Sequence, residues 1–399
     1  MTVTPIDVFP PSPPASEQGL KEEAIPVTQN APNTKPWIET PLVESPVLSK
    51  LAGCRIFLKL ENLQPSRSFK SRGIGNLVLK AVRSNPSPEI PRTFYAPSGG
   101  NAGLACVVAA TSLGQRSIIV VPETTPQKMI DKLYTNGAER VVQVGKNIAE
   151  ADRYLKEHLL AYDPLGVYVP PFDHPDIWQG AESLVDELDQ QLGVTSEQGG
   201  QGVDAMDAIV CSIGGGGLLI GICQGLERIQ SGRRQPKGKR VSVDPTMPPS
   251  PPVESVEDGF EDSTSSTKPL VIGVETHGCE SFNLSVTSRS LVTLPGITSI
   301  ATSLGCITVA QRALHYGLQD HVRSTLVTDR EACEACIRFV DDERILVEPA
   351  CGATLALIYS GRLSEVMDVS REKKVVLIVC GGSNVDLSAL QKYRDIYGK

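Results

Sequence analysis

From Phe94 to Val144 the chain alternates short apolar, β-branched runs with stretches of helical spacing, and this rhythm narrows its possible folds further than any other feature. Arg92-Thr93-Phe94-Tyr95-Ala96 gives way to a Gly-rich turn and a helix expected over residues 102–113. Ser117-Ile118-Ile119-Val120-Val121-Pro122 precedes a helix over 128–136, closed by Gly137, and Arg140-Val141-Val142-Gln143-Val144 follows. Strands that are apolar throughout are buried on both faces, so they imply a parallel sheet covered by helices. The pattern continues with a helix over 147–162, a strand over 167–169, a helix over 176–192 and a strand over 208–213. It resumes at Leu270-Val271-Ile272-Gly273-Val274-Glu275 and closes with Lys374-Val375-Val376-Leu377-Ile378-Val379-Cys380. The fold class is α/β, and 399 residues leave room for two domains.

Two stretches fall outside this rhythm. Residues 1–36 are rich in proline and poor in large apolar side chains, which predicts a disordered tail. Residues 230–269 combine prolines, acids and a serine/threonine run, which reads as a surface insertion; lengthening a loop costs only slowly growing entropy.

Charge and composition exclude several roles. A net charge of −8 leaves no basic face for nucleic acid. The one basic run, Arg233-Arg234-Gln235-Pro236-Lys237-Gly238-Lys239-Arg240, reads as a solvated linker. No apolar stretch approaches the ~20 residues of a membrane span. No arginine precedes Arg55, unlike an Arg-rich mitochondrial presequence. The ten cysteines are scattered, several inside apolar runs (Cys106, Cys211, Cys223, Cys306), so reduced thiols in a cytoplasmic protein are expected. Cys333-x-x-Cys336 lies in an amphipathic helical pattern with no second pair beside it, which argues against zinc. The five histidines form no metal spacing and receive no catalytic role.

Four short motifs carry chemistry. Leu60-Glu61-Asn62-Leu63-Gln64-Pro65-Ser66-Arg67-Ser68-Phe69-Lys70-Ser71-Arg72-Gly73 joins an apolar strand to a helical stretch, which puts Lys70 at a loop–helix boundary beside an aromatic ring. An amine there loses solvation, its pKa falls, and it can form a Schiff base; a lone lysine would ordinarily be solvated. Ser98-Gly99-Gly100-Asn101-Ala102-Gly103 follows a strand and opens a helix, a geometry suited to an anion. Gly214-Gly215-Gly216-Gly217 does the same with four glycines, enough for backbone to approach a phosphate closely. Its spacing is not that of a dinucleotide fingerprint. Cys380 ends an apolar strand just before two glycines, where a buried structural thiol is the plain reading.

The run Pro65-Ser66-Arg67-Ser68-Phe69-Lys70-Ser71-Arg72-Gly73 resembles the pyridoxal-phosphate attachment site of the serine/threonine dehydratases, members of the tryptophan-synthase-β-like superfamily (fold type II). One residue departs: Arg67 stands where that family most often has glycine. Trp37-Ile38-Glu39-Thr40-Pro41-Leu42 resembles the family's opening segment, and the motifs follow the family order as far as Asn384. The resemblance implies two domains, each on a mostly parallel twisted sheet flanked by helices. Residues 37–63 and 175–399 would form the large cofactor-binding domain, and 64–174 the small domain with Lys70 and the asparagine loop. It implies that Lys70 carries pyridoxal 5'-phosphate and removes the Cα proton, and that Phe69 packs on the cofactor ring. Gly214, Gly215, Gly216 and Gly217 would cup the phosphate, which is a plausible acid for the departing β-hydroxyl. Ser98, Gly99, Gly100, Asn101 and Ala102 would hold the substrate carboxylate, with Asn101 also meeting the phenolic oxygen. Cys380 would face the pyridine nitrogen as a neutral thiol, favouring loss of a β-leaving group over slower competing routes. Glu275 and the carbonyls of Cys279, Leu304 and Cys306 would hold a monovalent cation such as K+.

The activity implied is α,β-elimination of L-serine and L-threonine to a 2-oxo acid and ammonia. The chain stops too soon after Asn384 for the regulatory domain of biosynthetic threonine dehydratases, which implies the catabolic type. A homodimer is expected, acting on a free amino acid. Two other readings are an amino-acid racemase of the same fold and a catalytically silent binding protein.

Overall fold

The computed structural model describes residues 34–194, 202–234 and 268–398, together with the short strand Ile6–Val8. In chain order the strands are β1 (Ile6–Val8), β2 (Leu42–Glu44), β3 (Arg55–Lys59), β4 (Thr93–Ala96), β5 (Arg116–Val121) and β6 (Arg140–Gln143). Then come β7 (Val167–Tyr168), β8 (Ala208–Ser212), β9 (Leu270–Thr276), β10 (Val322–Val327) and β11 (Lys374–Ile378).

They form two sheets. One has the order β1-β6-β5-β4-β7 and the other β10-β9-β8-β11-β3-β2. Within each the pairings are parallel except at one edge, where β1 runs antiparallel to β6 and β2 antiparallel to β3. Apart from β1, the first sheet draws on residues 93–168; the second draws on 42–59 and 208–378. The central strands β4, β8 and β11 are buried along nearly their whole length, as expected of parallel strands covered on both faces.

Helix Lys70–Arg83 follows β3 and buries Ile74, Leu77 and Val78. It lies hard against helix Pro175–Val194, and glycines on both sides make this approach possible. A Cβ on Gly73 would stand 2.7 Å from the Ile177 carbonyl, and one on Gly180 would stand 2.3 Å from the Arg72 carbonyl.

The expected tail is corrected at its ends. Ile6–Val8 pairs with Gln143–Val141, and the described residues resume at 34. This backbone pairing covers what would otherwise be an open edge of β6. The rest of the tail lies outside the described residues. Helix Gly217–Arg234 runs past residue 230, so the expected insertion begins later; residues 235–267, with most of the basic run, also lie outside. The helix expected over 147–162 is α-helical only through Tyr154, then widens into a π turn and tightens into a 3-10 turn. Helices Pro349–Tyr359 and Leu387–Tyr397 had not been read from the sequence. Cys333 and Cys336 are buried in the core on helix Asp329–Glu343, and all ten cysteines are free. No described helix is long and apolar enough to cross a membrane.

Candidate active site

Four loops leave the carboxyl ends of parallel strands. Phe69 and Lys70 follow β3, Ser98–Asn101 follows β4, the glycine run follows β8, and Cys380 follows β11. Since β11 lies between β3 and β8 in one sheet, three of these loops are neighbours by topology, in the crevice where open α/β sheets bind ligands.

Backbone bonds clasp the Lys70 loop to the end of β11. Phe69 N–H donates to the Cys380 carbonyl at 3.2 Å, and Gly382 N–H donates to the Arg67 carbonyl at 2.9 Å. Arg67 has φ 61°, the left-handed region where glycine is at ease, and its side chain is exposed. The departure from the family pattern is thus absorbed as local strain at a residue whose backbone carries the clasp.

Lys70 opens its helix. Its Nζ donates to the Pro171 carbonyl at 2.6 Å and lies 5.3 Å from the Phe69 ring centre. Burial pushes its amine down to about 8, and the acidic groups nearby (Cys306, Cys380, Glu348) only partly oppose that. The pocket around it is walled by Phe69, Phe172, Ile177, Gly217 and Leu218.

The glycine run needs its glycines. A Cβ on Gly215 would meet the Phe172 ring at 2.3 Å, and Gly216, at φ 89°, would meet Ala313 at 2.4 Å. No N–H of Gly214–Gly217 donates to an acceptor among the described residues. Helix Gly217–Arg234 opens at this point with its positive end. A tight cradle of unspent donors fits a phosphate. The cofactor's other ends are matched by an amine able to form a Schiff base and by a neutral hydrogen-bonding thiol. Cys380 Sγ lies 3.4 Å from Ser212 Oγ, and burial pushes the thiol up to about 11.

The asparagine loop joins a cluster absent from the sequence reading. Asn101 Oδ1 accepts from Ser383 N–H at 2.8 Å and from Ser383 Oγ at 2.9 Å. Its Nδ2 donates to Glu348 Oε1 at 2.8 Å, and the other oxygen of Glu348 accepts from Asn384 N–H at 3.3 Å. Glu348 is buried, and that burial pushes its carboxyl up despite these bonds. A Cβ on Gly382 would fall 2.0 Å from its carboxyl carbon, so this glycine makes room for the acid. Phe172, Glu348, Ser383 and Ser303, whose hydroxyl accepts from Asn101 Nδ2 at 3.4 Å, were missed; of these, only Glu348 had a local cue, the proline that follows it at a helix start.

Glu275 lies apart from these bonds. Its oxygens accept from Phe282 N–H at 2.8 Å and Asn283 N–H at 2.7 Å, capping helix Ser281–Ser288. The carbonyls of Cys279 and Leu304 accept from Ser281 and Cys306. The fully buried Glu275 carboxyl has no salt bridge among the described residues, and burial pushes it up to about 8. The described residues hold no cluster of three or more His, Cys, Asp or Glu able to bind a metal.

This fold and site define a pyridoxal-phosphate enzyme of fold type II. The model of the family described as pyridoxal-phosphate dependent enzyme matches residues 34–381, and the chain belongs to that family. It is 40% identical over 358 residues to the L-serine dehydratase/L-threonine deaminase of Mus musculus, covering 89% of this chain and 94% of that one. It is 35% identical over 367 residues to the catabolic L-serine/threonine dehydratase of Saccharomyces cerevisiae, covering 90% of each. Among solved structures, a fungal L-serine ammonia-lyase from Rhizomucor miehei superposes with a TM-score of 0.74 at 33% identity, covering 91% of this chain and all of the other.

Proposed function

We propose that this protein eliminates water from L-serine and L-threonine, releasing pyruvate or 2-oxobutyrate and ammonia. The observation that carries the reading is Lys70: an amine desolvated to about 8 in a pocket walled in part by Gly217, the last of a run of unspent backbone donors. Pyridoxal phosphate, when bound, supplies a ring that withdraws electrons from the amino acid's Cα.

Every other part falls to the chain. Gly214–Gly217 would hold the phosphate by N–H groups, and Phe69 would pack on the ring. Ser98, Gly99, Gly100, Asn101 and Ala102 would orient the substrate carboxylate, and Asn101, its amide fixed by Ser383 and Glu348, would also meet the phenolic oxygen. The Lys70 amine, neutral for much of its population near pH 8, takes the proton from Cα. The Cys380 thiol stays neutral, so it would offer the ring nitrogen a hydrogen bond and no full charge. That limits the lifetime of negative charge at Cα and favours expulsion of the β-hydroxyl. A monovalent cation held by Glu275 and the carbonyls of Cys279, Leu304 and Cys306 belongs to the same proposal, supported by a buried carboxylate without a cationic side chain beside it. Free, mostly buried thiols support a cytoplasmic setting. Exposed Ile38, Val43, Val47, Leu51 and Leu63, gathered around edge strand β2, support a homodimer.

The test is to incubate purified protein with L-serine and with L-threonine and to assay 2-oxo acid, ammonia and the D-amino acids. Equimolar 2-oxo acid and ammonia, with borohydride fixing the cofactor to Lys70, is the expected result. Accumulation of D-serine in place of pyruvate would replace this reading with a racemase. Protein that takes up no cofactor would replace it with a silent binding protein.

A further inference from the structure

Away from the Lys70 pocket, a second cleft opens beside edge strand β7, between helix Lys70–Arg83 and the start of helix Pro175–Val194. Leu77, Ala81 and Val167 give it an apolar wall, and Lys80, Arg92, His174 and Asp176 line the rest.

The charges do not cancel. Lys80 Nζ is paired with Asp176 at 2.5 Å, which leaves Arg92 without a carboxylate among the described residues. One nitrogen of that guanidinium donates to the Ala81 carbonyl at 3.1 Å. Its Nε is shut off from solvent, and its Nη2, which bonds nothing among the described residues, is the guanidinium nitrogen that solvent and a ligand can reach. His174 Nδ1 accepts from Asp176 N–H at 3.1 Å, so its proton sits on Nε2 as a further donor. One unpaired positive charge and a short apolar wall match a small monoanion with an apolar tail; a phosphate dianion would bring more charge than the cleft answers.

Two paths join this cleft to the proposed catalytic site. The helix that walls it begins at Lys70. The segment from Pro171 to Asp176 accepts from Lys70 Nζ at Pro171, packs Phe172 against Gly215 and Gly217, and lines the cleft with His174 and Asp176. A ligand that draws in Arg92 and His174 therefore pulls on both the helix and the carbonyl that hold the lysine.

We infer that this cleft binds a small monocarboxylate with a short apolar tail, and that its occupancy is felt at Lys70. The inference rests on the proposed cofactor attachment only for its second half. The test is to titrate the holoenzyme with isobutyrate and, separately, with orthophosphate, against chloride at matched ionic strength. Heat is followed by calorimetry, and the visible absorption of the cofactor is recorded alongside. Isobutyrate should saturate a site and shift the visible band. Arg92→Gln should raise its Kd at least about tenfold, as loss of a charge-assisted bond predicts. Ser84→Glu, an exposed change at the rim, should do the same by repulsion while leaving the fold intact. Absence of saturation, an unchanged Kd in both variants, or saturation by orthophosphate alone would overturn the site. Saturation with an unmoved visible band would overturn the link to Lys70. A protein that binds isobutyrate yet forms no 2-oxo acid would sink the proposed activity and leave the cleft standing.

Discussion

Lys70 and Arg72 stand two residues apart on the first turn of one helix, and the fold uses them in opposite ways. Arg72 is fully buried and meets two carboxylates. Its Nε and Nη2 bond Glu61 at 2.7 Å each, while Nη1 and Nη2 bond Glu187 at 2.6 and 2.7 Å. Lys59 adds a second cation on Glu187 at 2.6 Å. Burial alone would lower the guanidinium's pKa, but Glu61 and Glu187 outweigh it and hold it above its ordinary value. Lys70 has only a carbonyl within bonding distance, and burial wins. The same desolvation thus locks one cation in place and makes the other reactive; the difference is whether a carboxylate arrives with it. The network also ties β3, the segment after it and helices Lys70–Arg83 and Pro175–Val194 together, so the helix that offers Lys70 has a fixed base.

Three experiments can break or sharpen this contrast. The largest effect is expected from Lys70→Ala: 2-oxo acid formation should fall by at least about a thousandfold, the scale of losing a general base together with a covalent anchor. The thermal midpoint of the apoprotein should not fall, since the variant loses only a desolvated amine, and turnover near the parental rate would end the assignment. Next comes Arg72→Met, which strips Glu61 of its cation and leaves Lys59 alone with Glu187. Denaturant unfolding should show a loss of about 3–5 kcal/mol, as for breaking a buried pair. If Lys70→Ala destabilised the apoprotein as much, the two cations would not differ as described.

The smallest effect is a pH dependence. The Lys70 amine titrates at about 8 in the fold against an ordinary lysine value of 10.5, so between those pH values the unfolded chain binds the extra proton. Apoprotein stability should therefore rise with pH through that window, and below it the cost of burying a charged amine is present in full. Denaturation midpoints of the apoprotein and its Lys70→Ala variant, compared across the window, should converge as pH rises. Parallel curves would show an amine that is not desolvated.

Much of this was legible in the sequence because it is local. Strand positions fall close to expectation, since β-branched apolar runs fix which residues are buried. Phe69-Lys70, Ser98–Asn101 and the glycine run lie at strand–helix junctions, as their turn chemistry required. Helix Pro349–Tyr359 escaped because it is buried almost all round, which erases the periodicity that betrays a surface helix. Helix Leu387–Tyr397 carried a readable cap, Asp386 accepting from Ala389 N–H at 2.7 Å. Glu275 was read as a cation ligand, and the fold gives its oxygens to the start of helix Ser281–Ser288, a use that spacing along the chain does not reveal.

What the sequence determined alone was most of the strands (β1, β2 and β10 were not among them), the loops at their ends and the kinds of group those loops carry, because backbone preference and apolar period act over a few residues. Only the tertiary structure decided that Asn101 meets Glu348, that Phe172 covers the glycines, and that Arg72 finds two carboxylates while Lys70 finds none. These outcomes depend on groups tens to hundreds of residues apart in the chain coming within a few ångströms, and at that range burial and pairing set what each charge can do.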